Sequence, residues 1–337
     1  MVADQNEFAL RRERLALRSL IQNHSTALVD TALVDIEIGN FAAARAGSTL
    51  WISATPLAQA DRQVSALAAV LAWQARSQRT GDAVEHIRIC DTVAPGLTAR
   101  RAAYFSLSID VLDTRSAPAV VAAPTPHEQV IAPHPDHLAF VSMLSGAGIE
   151  VVIEHGVVSG EVLGLEVARV VDEDGVAKLR IGVGAHDREM FKMLHGDVST
   201  IEQLQKVVNS VRKHREVGAP THPLNLLAVE RAARSRAVSA PQSLGLVSLQ
   251  PVEPPVARPN LKDAWPCCAI GTAVDSTPTV VVFVSGVDLE AVPFAADARD
   301  RSAPAGRLLI VTPQRNVVPL QKQIAELLAQ PAEFLSA

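Results

Sequence analysis

The sequence predicts an α/β or α+β protein of two domains, in which mixed sheets are flanked by helices. Three observations carry this: short apolar strands that alternate with amphipathic helices, a proline-bearing stretch near the middle, and a C-terminal βαβα pattern. At 337 residues, with 48% hydrophobic and 20% charged content, each domain has enough apolar mass for its own core. The expected boundaries are an N-terminal domain over 1–113, a linker over 114–135 and a C-terminal domain over 136–337.

The chain opens on a helix in which Asp4 and Glu7 stand at capping-box spacing and Phe8, Leu15 and Leu20 alternate with arginines. A βαβ passage follows: a strand at 49–53, a helix begun by Thr55 and Pro56 and running through Trp73, and a strand at 85–91. The alternation of Phe105, Leu107, Ile109 and Val111 with polar residues predicts a further strand over 104–111. Pro118, Pro124, Pro126 and Pro133 then stand among small residues, the composition of an extended linker.

Beyond the linker, residues 136–147 read as a helix stopped by Gly148, and strands are expected over 149–155, 157–171 and 178–183. Asp172 to Gly175 is a hairpin turn signal. Helices are expected over 187–195, 199–215 and 223–238, the second with Ser199 and Glu202 at capping-box spacing. The last unit has strands at 267–274, 279–284 and 307–312 and helices at 289–299 and 319–328.

Net charge is -5, so no global basic field attracts nucleic acid. Cys90, Cys267 and Cys268 are odd in number and form no CxxC pattern, which fits a reducing cytoplasm. No segment reads as a secretory signal or a membrane span, so membrane association is not expected. GxGxxG, Walker, GxSxG, HExxH and EF-hand patterns are all absent, which removes the commonest routes to dinucleotide, nucleotide, ester and metal chemistry.

Local charge is uneven. Residues 114–177 carry a net -7, whereas 178–236 carry +5. Glu154, Glu161 and Glu166 fall on the expected strands, and clustered carboxylates suit Mg²⁺, a hard ion that takes oxygen ligands. Glu161, Glu166 and His186 are therefore the candidate catalytic groups. The basic helices supply Arg188, Arg212, Lys213, Arg215, Arg231 and Arg234 as candidate phosphate contacts. Metal-binding acids beside phosphate-binding bases match the needs of phosphodiester cleavage.

Over about 65 residues the order helix, three strands, helix resembles the restriction-endonuclease-like nuclease core. That resemblance implies an acid on one strand and an acid and a lysine on the next. Here the third strand reads Arg180, Ile181, Gly182, Val183, Gly184, without the lysine, so the expectation is a nuclease-like fold whose cleavage chemistry is missing.

Other sites are weaker. Gly182 to Gly184 ahead of a helix, with His186 and Arg188, would let backbone approach an anion; the plain alternative is a turn capped by Asp187. His127, His134, Asp136 and His137 cluster in sequence but lack a further zinc ligand. Arg231, Arg234 and Glu230 have the spacing of surface ion pairs. Ser285, Gly286 and Asp288, with Gln314, Arg315 and Asn316, stand at expected strand tips, where open α/β sheets bind ligands. The expected function is nucleic-acid binding; the alternatives are a small-ligand-binding protein and a noncatalytic interaction protein that forms homo-oligomers.

Overall fold

The computed structural model describes residues 2–24, 32–55, 64–196, 200–220, 222–260 and 263–336. It has the mixed α/β architecture that the sequence predicts, with a six-stranded, a four-stranded and a five-stranded sheet among the described residues. Two compact units emerge. The first takes Met1–His127, Val287–Asp297 and Val317–Ala332; the second takes Glu128–Gly286, Ala298–Asn316 and Glu333–Ala337. The first crossing falls between His127 and Glu128, inside the proline-bearing stretch, and the chain returns twice to the first unit near its end.

In the first unit α1 (Val2–His24) precedes β1 (Leu33–Ile38), β2 (Phe41–Ala46) and β3 (Thr49–Ser53), an antiparallel meander. Then come α2 (Ala66–Thr80), β4 (His86–Asp91), α3 (Pro95–Ala102), β5 (Ser108–Asp113) and the short β6 (Val120–Val121). Strands β3, β4 and β5 are parallel, with α2 and α3 as crossovers, and β6 closes the edge antiparallel to β5. Leu17 and Ile21 of α1 pack on Ala42, Ala44, Trp51, Cys90 and Leu112, so the alanine-rich β2 lets the helix lie close to the sheet. Two expectations shift here. The cap of α2 is Ser65, whose Oγ accepts the Ala68 amide, not Thr55; Pro56 lies outside the described residues. The strand expected over 104–111 begins only at Ser108, because the chain leaving α3 at Ala102 turns first and Phe105 makes an isolated bridge to Leu328.

The second unit begins with two short helices, α4 (Pro135–Leu138) and α5 (Val141–Gly146), where one was expected. Strands β7 (Glu150–Glu154), β8 (Val157–Val162), β9 (Leu165–Glu173) and β10 (Val176–Ile181) form an antiparallel meander. Helices α6 (Gly184–His195), α7 (Ile201–Arg215) and α8 (Val229–Ser239) follow. The capping box of α7 is Thr200 with Gln203; Ser199 lies outside the described residues. Leu204, Val208 and Val211 repeat along one face of α7 and join Leu144, Val158, Leu165 and Leu179 in a single core. Strands β11 (Leu246–Val252), β12 (Cys267–Ala273) and β13 (Pro278–Phe283) are antiparallel neighbours. The closing pattern is α9 (Ala291–Ser302), β14 (Arg307–Thr312), α10 (Pro319–Glu326) and β15 (Glu333–Ser336); β13, β14 and β15 are parallel, while α10 and α9 as far as Asp297 belong to the first unit.

The long strand expected over 157–171 is a hairpin. Leu163 and Gly164 both have positive φ, the geometry of a two-residue turn that matches strand twist. At Gly164 a β-carbon would stand 2.2 Å from the Arg231 carbonyl carbon, so only glycine lets α8 pass over the turn. Similarly, the helix expected over 223–238 is a 3-10 turn (Pro223–Leu226) and then α8, interrupted at Ala228 with φ 47°.

Gly175 has the same φ, 76°, as Gly164 but open space beside it. Gly175→Ala is therefore expected to cost only the left-handed backbone penalty, about 1–2 kcal/mol. Gly164→Ala adds a clash with α8 and is expected to cost about 4 kcal/mol or more. Urea denaturation of the two variants checks the difference.

Candidate functional site

The β8–β9 turn sets Glu150, Glu161 and Glu166 directly opposite one another across β7, β8 and β9. Glu154, two pleats along from Glu150, shares their face. Glu154 and Glu161 do converge, but on arginine. Arg231 of α8 bonds both carboxylates, and Arg234, one turn on, donates to Glu154 at 2.8 Å and to Glu161 at 3.1 Å. Arg234 is fully buried and Arg231 nearly so, which corrects their reading as members of surface pairs. Glu230 is buried as well and accepts from Ser285, one of the expected strand-tip groups.

Glu166 is held apart from that quartet. Arg169 clasps it through two bonds of 2.8 Å, Arg188 reaches it from α6, and Arg258 donates at 3.1 Å. The oxygens that Mg²⁺ would need are thus occupied by guanidinium donors. The three carboxylates do not fit a divalent ion, and among the described residues no group of three His, Cys, Asp or Glu side chains is disposed to hold a metal.

The remaining candidates scatter. Arg215 is spent on backbone, donating to the carbonyls of Leu163, Leu224 and Leu227. Arg212 donates to the Gly148 carbonyl at 3.3 Å, and Lys213 and His186 are exposed. The helix cap at Gly184 is Val183 and not Asp187. Among the histidines, the Nδ1 of His134 accepts the Asp136 amide while His137 pairs with Asp172 at 2.9 Å. His127 instead lies 3.8 Å from Asp297, in the first unit. All three cysteines are free and buried, and burial pushes the Cys90 and Cys267 thiols up to about 12, so neither is a ready nucleophile.

A cavity of about 240 Å³ lies elsewhere, in the first unit. It sits at the carboxyl ends of the parallel strands β3 and β4, where Ala54 and Asp91 leave the sheet and α2 and α3 begin. Phe41, Val64, Leu67, Val93 and Leu97 give it apolar walls; Ser65, Asp91, Thr98 and Arg101 are its polar lining. Asp91 is committed to shape: it accepts the amides of Val93 and Ala94 at 2.7 and 3.1 Å and the Thr98 hydroxyl at 2.6 Å, and so fixes the first turn of α3. Arg101 is aimed from behind. Its Nε donates to the fully buried Asp297 at 3.1 Å, and Asp297 also accepts from Arg100 and from Tyr104, the chain's single tyrosine. Glu290, which accepts the Ser65 amide at 2.6 Å and stands 3.9 Å from Arg101, is pushed up by burial.

Sequence reading assigned ligand binding to the tips of the last strands and missed this earlier βαβ crossover. The available signal was the pairing of an acid at the end of a strand, Asp91, with Pro95 as a helix start.

The carboxylates titrate in opposite directions. Burial would raise Glu154, but Arg231 and then Arg234 outweigh it and hold the group below its ordinary value; Arg169, Arg188 and Arg258 do the same for Glu166. Their stabilisation is present above the unfolded carboxylate range and is lost as pH falls through the lowered folded values. Glu150 goes up, through burial and then the nearby Glu161, so its ionisation at neutral pH opposes folding. At pH 7 Glu150→Gln should leave stability unchanged or slightly raised, whereas Glu166→Gln should cost about 3–5 kcal/mol by stranding three arginines. Denaturation between pH 3 and 7 checks both, with the wild type losing stability below about pH 4.5.

No family model, curated protein or solved structure matches this chain.

Proposed function

We propose that the protein binds a small organic molecule in its first unit, with the ligand seated at the carboxyl ends of β3 and β4. The observation that carries this reading is the cavity itself. It lies where adjacent parallel strands hand over to two helices, the position at which open α/β sheets place their ligands. Its volume of about 240 Å³ is below the ~300–1,000 Å³ of drug-sized sites and suits a compact metabolite.

Lining chemistry defines the ligand class. Apolar walls favour a hydrocarbon or aromatic body, and Arg101, the one cation among the described lining residues, favours a carboxylate or carbonyl end. The Ser65 hydroxyl, whose oxygen accepts the Ala68 amide, keeps its proton as a donor beside it, whereas the Thr98 hydroxyl is given to Asp91. The clasp of Asp297 on Arg101 supports this role, because a guanidinium fixed before binding loses little freedom when the ligand arrives. Fold position alone would be analogy; the support lies in an apolar cavity that ends at an oriented cation.

Nucleic-acid binding finds less support in the same geometry, since Arg215, Arg231 and Arg234 are occupied by internal acceptors.

Native mass spectrometry of the purified protein, and thermal-shift screening against short aromatic and aliphatic carboxylates, test the proposal. A stabilising acid is expected, and Leu97→Trp, which fills the cavity, is expected to weaken its binding at least tenfold without loss of the fold. Equal binding to the wild type and to Leu97→Trp would place the ligand elsewhere.

A further inference from the structure

The charges around Glu166 do not balance. In the neighbouring quartet two arginines meet two carboxylates, Glu154 and Glu161. Around Glu166, three guanidiniums, from Arg169, Arg188 and Arg258, share a single carboxylate, which leaves two surplus positive charges. Glu166 is fully buried and the Arg258 side chain is nearly so, and uncompensated charge at such burial is unfavourable. Glu150 does not supply the missing charge, for its carboxylate accepts from Ser235 at 3.2 Å and faces Arg234 and Arg231 of the quartet.

Two further observations bear on the cluster. The buried Nε of Arg188 has no hydrogen-bond partner among the described residues; the Nε of Arg234 in the quartet has none either, so it is the charge rather than the spare donor that sets the Glu166 cluster apart. The Arg169 side chain is about a third exposed, so the cluster reaches solvent on that side. Arg188 is also held rigidly: at Gly182 (φ 138°) a β-carbon would lie 2.7 Å from the Arg188 amide nitrogen, so the end of β10 lies directly against α6 at this residue. Burial, and then a neighbouring arginine, outweigh the opposing glutamates and lower the pKa of Arg188 and Arg258, whereas the hydrogen bonds from Glu166 raise that of Arg169.

We propose that Arg169, Arg188 and Arg258 form a binding site in the second unit for a dianionic phosphate group, carried by inorganic phosphate or by a small phosphomonoester. Two surplus charges match a dianion. Guanidiniums that arrive from β9, from α6 and from the segment after β11 can address different oxygens of a tetrahedral group better than those of a planar carboxylate. The site is independent of the first-unit cavity, and either can fail without the other.

Isothermal titration of the full-length protein with inorganic phosphate, glycerol phosphate and malonate, at constant ionic strength, tests the proposal. Phosphate or its monoester is expected to bind, and the tighter of the two identifies the source. Arg188→Gln and Arg169→Gln are each expected to weaken binding at least tenfold, while Lys206→Gln, an exposed charge on α7, leaves it unchanged. Circular dichroism verifies folding, and should Arg188→Gln misfold, the more exposed Arg169→Gln decides alone. Absence of phosphate binding, equal affinity in the folded arginine variants and the wild type, or tighter binding of malonate than of phosphate would overturn the assignment.

Discussion

Two arginines of α8 close on two glutamates of the β7–β8 hairpin beneath them, and the second unit is organised around that closure. Neither pair is tolerable alone. A buried guanidinium or carboxylate without its partner costs several kcal/mol, so the hairpin and the helix hold each other in one register. The closure also constrains backbone. Gly164 is the only residue type that permits α8 to cross the β8–β9 turn, and Arg215 stitches the Leu163 carbonyl to the end of α7. Arg234 extends the link towards β12 through the Cys268 carbonyl, at 3.4 Å. Four charges thus tie a hairpin, a helix and a second sheet.

The same closure separates charge as chemistry from charge as structure. Carboxylates on adjacent strands beside basic helices are the composition of a metal-dependent nuclease, yet here the bases reach the acids directly. What distinguishes Glu166 is stoichiometry, three guanidiniums to one carboxylate. In the first unit the logic differs: Asp91 and Asp297 fix a helix start and a guanidinium around an apolar cavity, and no charge is left in surplus among Arg100, Arg101, Asp297 and Glu290.

Much of the fold is legible in the sequence. The strands β3 and β4 of the βαβ passage and the parallel strands β13 and β14 read correctly from their apolar residues between turn residues, whereas the helix between β3 and β4 begins at Ala66 and runs on to Thr80 rather than from Thr55 through Trp73. The β8–β9 hairpin is not legible: Leu163 and Gly164 make the turn between Val162 and Leu165 without a polar turn residue, since their turn is covered by α8. Edge strands β1, β11 and β15 escape notice because polar residues or a proline interrupt their apolar positions, and β15 is only four residues long. Site residues are visible as types, but not their partners. Glu154 and Arg231 lie 77 residues apart, and no local spacing reveals that they meet.

The central claim is that the Glu154–Glu161–Arg231–Arg234 quartet is a closed structural unit. A double-mutant cycle on Glu161→Gln and Arg234→Met, read by urea denaturation, tests it most directly. Each single variant should lose about 3–5 kcal/mol, and the double variant should recover at least about 1–2 kcal/mol of the summed loss. Losses that add to within about 0.5 kcal/mol would contradict the account, because the two residues would then serve separate partners.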